Sequence, residues 1–406
     1  MSRLDELIAE LCPDGVVYKP FFDIADYIRG VTYGKSKEIT DGSDGYNLLR
    51  ANNITLSSNT LNFDEVKVID FSVKVKDSQM LTKGDILICA GSGSKEHIGK
   101  VAYILEDMNY TFGGFMGVIR TNPLFVSSRY MFHILTSTMF KEHLRKASGA
   151  SSSTINNINN DTWRGFTLPV PPLEVQREIV RILDNFTELT AELTAELTAR
   201  KQQYEYYFYR IMNMYNSPVV KLGEIGQVKM CKRIMKAQTS TEGEIPFYKI
   251  GTFGKEPDAY MSKELYEEYV NKYSYPTKGD ILISCSGTIG RTVVFDGEPA
   301  YFQDSNIVWL EHDGTKVSNE YLRFAYMTNP WIVSTGGTIS RLYNDGILKA
   351  EIPLPSLEEQ KSIVALLSRF DAMCTDISSG LPAEIEARQK QYEYYRDKLL
   401  TFKQLA

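Results

Sequence analysis

This chain of 406 residues has only four histidines and five cysteines. The cysteines (Cys12, Cys89, Cys231, Cys285 and Cys374) are scattered, odd in number and never spaced as Cys-x-x-Cys. That pattern excludes a disulfide framework and a zinc signature, and it reads as reduced, mostly buried thiols of a cytoplasmic protein. No apolar run reaches the roughly 18–20 residues of a membrane span, and no charged-then-apolar signal segment opens the chain. An excess of positive charge is missing too: 45 Lys and Arg against 51 Asp and Glu leave a net −6. Neutralising DNA phosphates takes cations, so DNA binding by such a chain requires them to be locally concentrated, with more supplied by a partner. The run Lys221 to Lys236 is one concentration, with Lys221, Lys229, Lys232, Arg233 and Lys236 against the single acid Glu224.

Catalytic signatures are also absent. The stretch Gly93 to Lys100 superficially suggests a phosphate loop. It has five residues between its glycines instead of four, and Val101 stands where a Ser or Thr would bind magnesium. Asn122-Pro123-Leu124-Phe125 lacks the second proline of the Asn-Pro-Pro-aromatic motif of amino-methyltransferases, and it reads as a turn. There is no nuclease-like acid cluster and no nucleophile elbow. Nothing supports catalysis by this chain alone.

What is present is a duplication. Leu168-Pro169-Val170-Pro171-Pro172-Leu173-Glu174-Val175-Gln176 matches Ile352-Pro353-Leu354-Pro355-Ser356-Leu357-Glu358-Glu359-Gln360. Gln203-Tyr204-Glu205-Tyr206-Tyr207 recurs as Gln391-Tyr392-Glu393-Tyr394-Tyr395. Lys83 to Ile88 pairs with Lys278 to Ile283, and Val17-Tyr18-Lys19 is echoed by Val219-Val220-Lys221. The register is 184 residues at Gln176/Gln360 and Phe186/Phe370 but 188 at Tyr204/Tyr392, so the second copy carries four extra residues. Two half-molecules in tandem, alike in scaffold and different in loops, fit one framework carrying two recognition surfaces.

Periodicity orders the halves. Met1 to Leu11 reads as an amphipathic helix, and Val16 to about Phe166 as short strands (Val66–Ile69, Ile86–Ile88, Gly117–Arg120) among Gly/Ser/Asn loops, with a helix over Arg129–Arg145. After Pro172 one long helix is expected to about Met214, with a seam of Ile179, Leu183, Phe186, Leu189, Leu193 and Leu197. Some forty residues at about 1.5 Å each span roughly 60 Å, too long for burial in a small domain. A second long helix follows Pro355, with a seam of Ile363, Leu367, Phe370, Met373 and Ile377, and Pro382 is expected to interrupt it near Gly380-Leu381-Pro382.

Small-residue loops follow the matched strands: Gly91-Ser92-Gly93-Ser94-Lys95 and Ser286-Gly287-Thr288-Ile289-Gly290-Arg291. Backbone N–H groups in such loops approach an anion closely, and Lys95 or Arg291 is placed to meet a phosphate. A second pair, Ser148 to Ser153 (with Ser151 and Ser152) and Thr335 to Arg341 (with Ser340), has the same character. Base edges are read by Arg, Asn or Gln, and the candidates nearby are Arg50, Asn52 and Asn53 in the first half and Arg233, Gln303 and Arg341 in the second, with Lys232 and Lys236 on the phosphates.

The paired Pro-x-Pro-x-Leu-Glu-x-Gln and Gln-Tyr-Glu-Tyr-Tyr motifs resemble those of the DNA-specificity (S) subunits of type I restriction-modification systems. The tandem Thr190-Ala191-Glu192-Leu193 and Thr194-Ala195-Glu196-Leu197 looks like the short spacer repeat of one branch of that family. The resemblance spans nearly the whole chain. It implies an α+β fold with an N-terminal helix (1–15), target-recognition domains at 16–167 and 217–351, and antiparallel spacer helices at 168–216 and 352–406. Each domain would read half of a bipartite site on double-stranded DNA. Leu189, Leu193, Leu197, Tyr204, Tyr207, Phe370, Tyr392 and Tyr395 would form the spacer and dock two modification subunits. The resemblance also places S-adenosylmethionine, ATP and Mg on the modification and restriction subunits, with no cofactor on this chain. The alternative from the residues alone is a coiled-coil scaffold or adaptor binding protein or RNA.

Overall fold

The computed structural model describes residues 2–40, 42–92, 97–147, 157–334, 340–375 and 380–405. In chain order the helices are α1 (Arg3–Leu11), α2 (Ser128–Thr136), α3 (Thr138–Ala147), α4 (Asn160–Arg164), α5 (Leu173–Met212), α6 (Lys263–Lys272), α7 (Asn319–Met327), α8 (Asn344–Leu348), α9 (Leu357–Thr375) and α10 (Leu381–Leu399). The chain forms two compact units, Met1–Thr194 with Glu384–Ala406, and Ala195–Ala383. Helix α5 leads from the first into the second, and α10 leads back, so the long helices run in opposite senses.

In the first unit, strands Val17–Pro20 and Thr167–Val170 pair antiparallel and bring the two ends of the α+β domain together. An antiparallel sheet follows, in the order Ala25–Arg29, Met116–Thr121, Ile86–Cys89, Val101–Tyr103. A second sheet has the order Tyr110–Phe112, Tyr46–Leu49, Lys67–Ile69, Glu38–Ile39, its first pair parallel. The second unit repeats the plan. Val219–Lys221 pairs with Glu351–Pro353. The antiparallel sheet runs Gln227–Met230, Ile307–Glu311, Ile281–Ser284, Thr292–Val294. Its second sheet keeps the parallel pair, Ile245–Tyr248 with Tyr301–Phe302, and the antiparallel strand beside it, here Tyr260–Met261. The fold is therefore α+β with an internal pseudo-two-fold repeat.

Each long helix is tied to its domain by the same buried side chain. Gln176 is fully buried; its Nε2 donates to Pro171 O and Phe125 O at 2.8 Å each, and its Oε1 accepts from Ser127 N at 2.9 Å. Gln360 repeats the set, with Pro355 O at 2.9 Å, Lys316 O at 2.8 Å and Ser318 N at 2.9 Å. Ser127 and Ser318 are the N-caps of α2 and α7. The hydroxyls of Tyr130 and Tyr321, one turn in, donate to Pro169 O and Pro353 O. The prolines hold the backbone extended so that their carbonyls face inward, where the glutamine collects one and the tyrosine another. Around each staple lies a core of sheet, short helix and long helix: Ile86, Ile88, Ile119, Met131, Ile134 and Ile179 in the first unit, and Ile283, Val308, Leu322, Phe324, Ile363 and Leu367 in the second.

The aromatic motif packs each helix end on the opposite helix. Phe186 of α5 stacks on Tyr395 of α10 in the first unit, with centroids 5.5 Å apart. In the second unit the equivalent Phe370 stacks on Tyr207 at 6.5 Å. Tyr392 and Tyr204 are also equivalent, yet their partners differ. His133 is fully buried and places Nε2 2.9 Å from Asp184 Oδ1 and Nδ1 3.1 Å from Tyr392 Oη. A carboxylate only accepts, so the proton sits on Nε2 and Nδ1 accepts from the tyrosine. Arg129 also pairs with Asp184, at 2.9 Å. Burial lowers the His133 pKa against the opposing pull of Asp184. In the second unit Phe324 occupies the position of His133, and the buried Tyr204 hydroxyl has no partner among the described residues. Burial pushes its pKa up to about 12.

Several expectations change. The helix expected over Arg129–Arg145 is two helices, because Ser137 is extended and the Asp397 carboxylate caps the new N-terminus through Thr138 N and Oγ1. The long-helix seam is closed only in part: Leu183 is buried, whereas Leu189 is 39% exposed and Leu193 and Leu197 are half-buried. Met373 is 41% exposed, and Ile377 lies outside the described residues. The interruption expected in the second long helix is present at Gly380: α9 is described to Thr375 and α10 begins at Leu381, with Pro382 in its first turn, where a missing N–H has no consequence. The C-terminal tail lies beside the start of the first domain, where Val16 N donates to Lys403 O and Leu405 N to Val16 O, both at 2.9 Å. Gly15, at φ +122°, is required there, since a Cβ would lie 2.4 Å from Lys403 O.

Gln176→Ala or Gln360→Ala leaves an N–H and two carbonyls without their partner, and each is expected to lower the stability of its unit by about 3 kcal/mol. Equilibrium chemical unfolding measures this, and a loss below about 1 kcal/mol would mean that water replaces the carboxamide. His133 gives a separate pH signature. Its folded pKa is depressed, so the unfolded chain binds the extra proton first and stability falls as pH drops below about 6.5. His133→Phe, which copies the second unit, is expected to flatten that slope in thermal unfolding. An unchanged slope would assign it to other groups.

Candidate nucleic-acid interface

Three segments converge at one edge of the antiparallel sheet in each unit. In the first, Ala90 and Gly91 open the Gly/Ser loop, and their N–H groups both donate to Phe115 O at 2.9 Å. Ile158 N donates to Ala90 O at 2.6 Å, and Gly91 bridges to Asn157 at the far end of the second loop. In the second unit Cys285 N donates to Asn306 O at 2.7 Å, and Leu342 N donates to Cys285 O at 2.9 Å. The two loop pairs singled out by sequence thus meet at their described ends in both halves. Ser92 is half-buried at the edge of the first loop, while Ser94, Lys95, Ser151 and Ser152 lie outside the described residues.

The second unit also has a cleft of about 720 Å³ beside this edge, lined by Arg233, Lys236, Lys249, Gln303, Asp304 and Asn306 among others. Arg233 Nε bonds Asp304 Oδ2 at 2.8 Å, and Lys249 bonds Asp258 at 2.8 Å. Gln303 Oε1 accepts from Ile250 N at 3.1 Å, which orients its amide donors away from that backbone. Arg341 donates to Ser305 O at 2.9 Å and holds a turn in which Ser305 takes φ +54°. Arg291 reaches Gly254 O at 3.2 Å, and Lys232 lies over the Tyr273 ring at 5.2 Å. Thr288 and Ser340 are exposed. Gly290 is required in the loop, since a Cβ would lie 2.3 Å from the Trp331 indole nitrogen. Arg233 with Lys236, Gln303 and Arg341, from three separate stretches of the sequence, are therefore gathered around one turn. Lys249 and Asn306, which sequence reasoning missed, join them because strand pairing places them there.

The first-half candidates separate. Arg50 pairs with Glu65 at 2.9 Å, and Asn52 reaches the same carboxylate at 3.4 Å. Asn53 is fully buried; its Oδ1 accepts from Arg50 N, and its Nδ2 donates to Asn62 O and Glu65 O. With its amide engaged inside the domain, Asn53 closes this loop. Buried Lys100 likewise serves the fold by donating to Ile54 O at 2.9 Å, and burial lowers its pKa.

A family model described as "Type I restriction modification DNA specificity domain" matches residues 13–200 and again 214–387. The chain belongs to the type I restriction-modification DNA specificity family. This specificity subunit is 51% identical over 286 residues to a putative type I restriction enzyme specificity subunit of Haemophilus influenzae, covering 68% of this chain and 73% of that protein. It is 32% identical to the EcoR124I/EcoR124II specificity subunit of Escherichia coli, over 60% of this chain and 65% of that one. Among solved structures, a chain of a type I R-M system assembly matches with a TM-score of 0.65 at 17% identity, over 96% of this chain and 98% of that one. The S subunit from M. genitalium matches at 0.50, with 16% identity, over 95% and 96%. The likeness to these structures is one of fold. The specificity subunit is thus a DNA-recognition chain with two specificity domains in tandem, and the scaffold or adaptor reading falls away.

Asn53→Ala is expected to lower the stability of the first unit by about 1–3 kcal/mol, the cost of unpaired buried groups, with the DNA sequence preference retained. Unfolding and DNA-binding measurements on the same variant check both parts. An altered base preference without loss of stability would return Asn53 to the interface.

Proposed function

We propose that residues 16–167 and 217–351 each read one half of a bipartite DNA site, and that residues 168–216 and 352–406 set the distance between the halves and dock two modification subunits. The observation that carries this reading is the repetition of the convergent loop edge in both units, each stapled by its own glutamine to a long helix. Adenine methylation with S-adenosylmethionine, and ATP- and Mg-dependent translocation and cleavage, belong to the partner subunits. Those partners also supply the cations that a chain of net charge −6 lacks. Tyr206 and Tyr394 support the pairing of partners. They occupy the same place in the two aromatic motifs and are 60% and 62% exposed, whereas Tyr204 and Tyr392 are turned inward. Two equivalent exposed tyrosines suit two copies of one partner.

The division between the units falls at Thr194 and Ala195, inside the tandem Thr-Ala-Glu-Leu repeat. An added unit therefore extends the connecting segment rather than a packed core. Four helical residues add roughly 6 Å, against about 3.4 Å per base-pair step. Inserting one unit is expected to lengthen the unspecified spacer while leaving both half-sites unchanged. Long-read methylation mapping in a host carrying the variant tests this, and an unaltered spacer or changed half-site bases would refute it.

A further inference from the structure

The turn that leads into the central strand Met116–Thr121, and into its equivalent Ile307–Glu311, carries opposite chemistry in the two halves. Register fixes the equivalence: Met116 pairs with Cys89 and Gly117 with Ile88, as Ile307 pairs with Ser284 and Val308 with Ile283. Gly113-Gly114-Phe115 therefore corresponds to Asp304-Ser305-Asn306. In the second half the turn is polar. Asn306 Oδ1 accepts from Ser286 Oγ at 2.9 Å, and Asp304 holds Arg233. In the first half the same place presents Phe115, 71% exposed.

Single exposed apolar side chains are ordinary on protein surfaces. Phe115 differs because its backbone is held on every side. Its carbonyl takes two N–H bonds from Ala90 and Gly91, Met116 N donates to Gly113 O at 2.7 Å, and Arg29 Nε donates to Gly114 O at 3.2 Å. Gly114 is packed against Thr32, where a Cβ would lie 2.8 Å from Oγ1. A side chain on a backbone held this way and left mostly in water contributes little to the core. It is attached directly to the first residues of the Gly/Ser loop, as Asn306 is in the second half.

We infer that Phe115 is a specificity-determining residue of the first domain, making apolar contact with the C5-methyl group of a thymine in the major groove. The inference rests on the DNA-reading role of the domains and names the chemistry of one contact. Aromatic contact to that methyl distinguishes thymine from cytosine without a hydrogen bond, and the second domain uses carboxamide and guanidinium groups at the equivalent place.

Deoxyuridine lacks only the methyl group, so it isolates the contact. The full chain, assembled with its modification subunits, is tested on its mapped site with each thymine replaced in turn by deoxyuridine. One replacement, confined to one half-site, is expected to weaken binding roughly fourfold, the factor supplied by one buried methyl. Phe115→Ser should bind the thymine and uracil duplexes equally, and Phe115→Leu should retain part of the difference. If the assembled complex shows no sequence-specific binding, the reading of the domains itself fails. If it is specific but no thymine distinguishes the unsubstituted chain from Phe115→Ser, this inference alone fails. Phe115 lies outside the core, so thermal unfolding of Phe115→Ser should match that of the unsubstituted chain.

Discussion

The buried carboxamides of Gln176 and Gln360 are the constraint on which the architecture depends. A recognition domain on a long helix is useful only if its orientation on the helix is defined. A purely apolar contact between them would be non-directional. A buried amide with one acceptor and two donors engaged on three backbone groups has a single satisfied arrangement. It joins the proline-held strand end, the segment before the short helix and the N-cap of that helix. The same geometry recurs at Gln360, so both domains are mounted alike although most of their loop residues differ.

Duplication lets one solution serve twice, and the departures from symmetry show what each copy was free to change. The staple, the Phe–Tyr stacks and the sheet order are kept. The His133–Asp184–Tyr392 network is not: Phe324 replaces the imidazole, the Tyr204 hydroxyl has no partner among the described residues, and Arg323 pairs instead with Asp371. A buried polar network in one unit thus faces apolar packing at the equivalent place in the other. The loop edges diverge in the same manner, with an exposed aromatic in the first half and a cleft lined by amide and charged groups in the second. A shared mount carrying unlike loop edges leaves the two specificity domains free to differ in what they bind.

Much of this was legible in the chain. The proline-led motifs mark where the long helices start, the absence of Pro and Gly from Leu173 to Met212 leaves α5 unbroken, and Gly380 and Pro382 locate the restart of the second helix. The short elements were less legible because long-range partners decide them. Asp397, remote in sequence, divides the helix expected over Arg129–Arg145. Arg233, Gln303 and Arg341 are isolated polar residues in the sequence, and only the tertiary fold gathers them. For Asn53 the residue type alone suggested base reading, whereas the structure buries its amide among backbone partners of its own domain.

The sequence by itself determined the duplication, the family, the order of domains and helices, and the positions of the small-residue loops. These follow from local rules: proline geometry, helical periodicity and repeated motifs act over a few residues and can be read in one dimension. The tertiary structure alone decided which polar groups are consumed and which remain available. That depends on partners brought close by sheet register and helix packing, as when Gln176 is enclosed by Phe125 and Ser127. It also decided that equivalent turns place Phe115 in one domain and Asn306 in the other. Their equivalence lies in strand pairing, and no shared residue announces it.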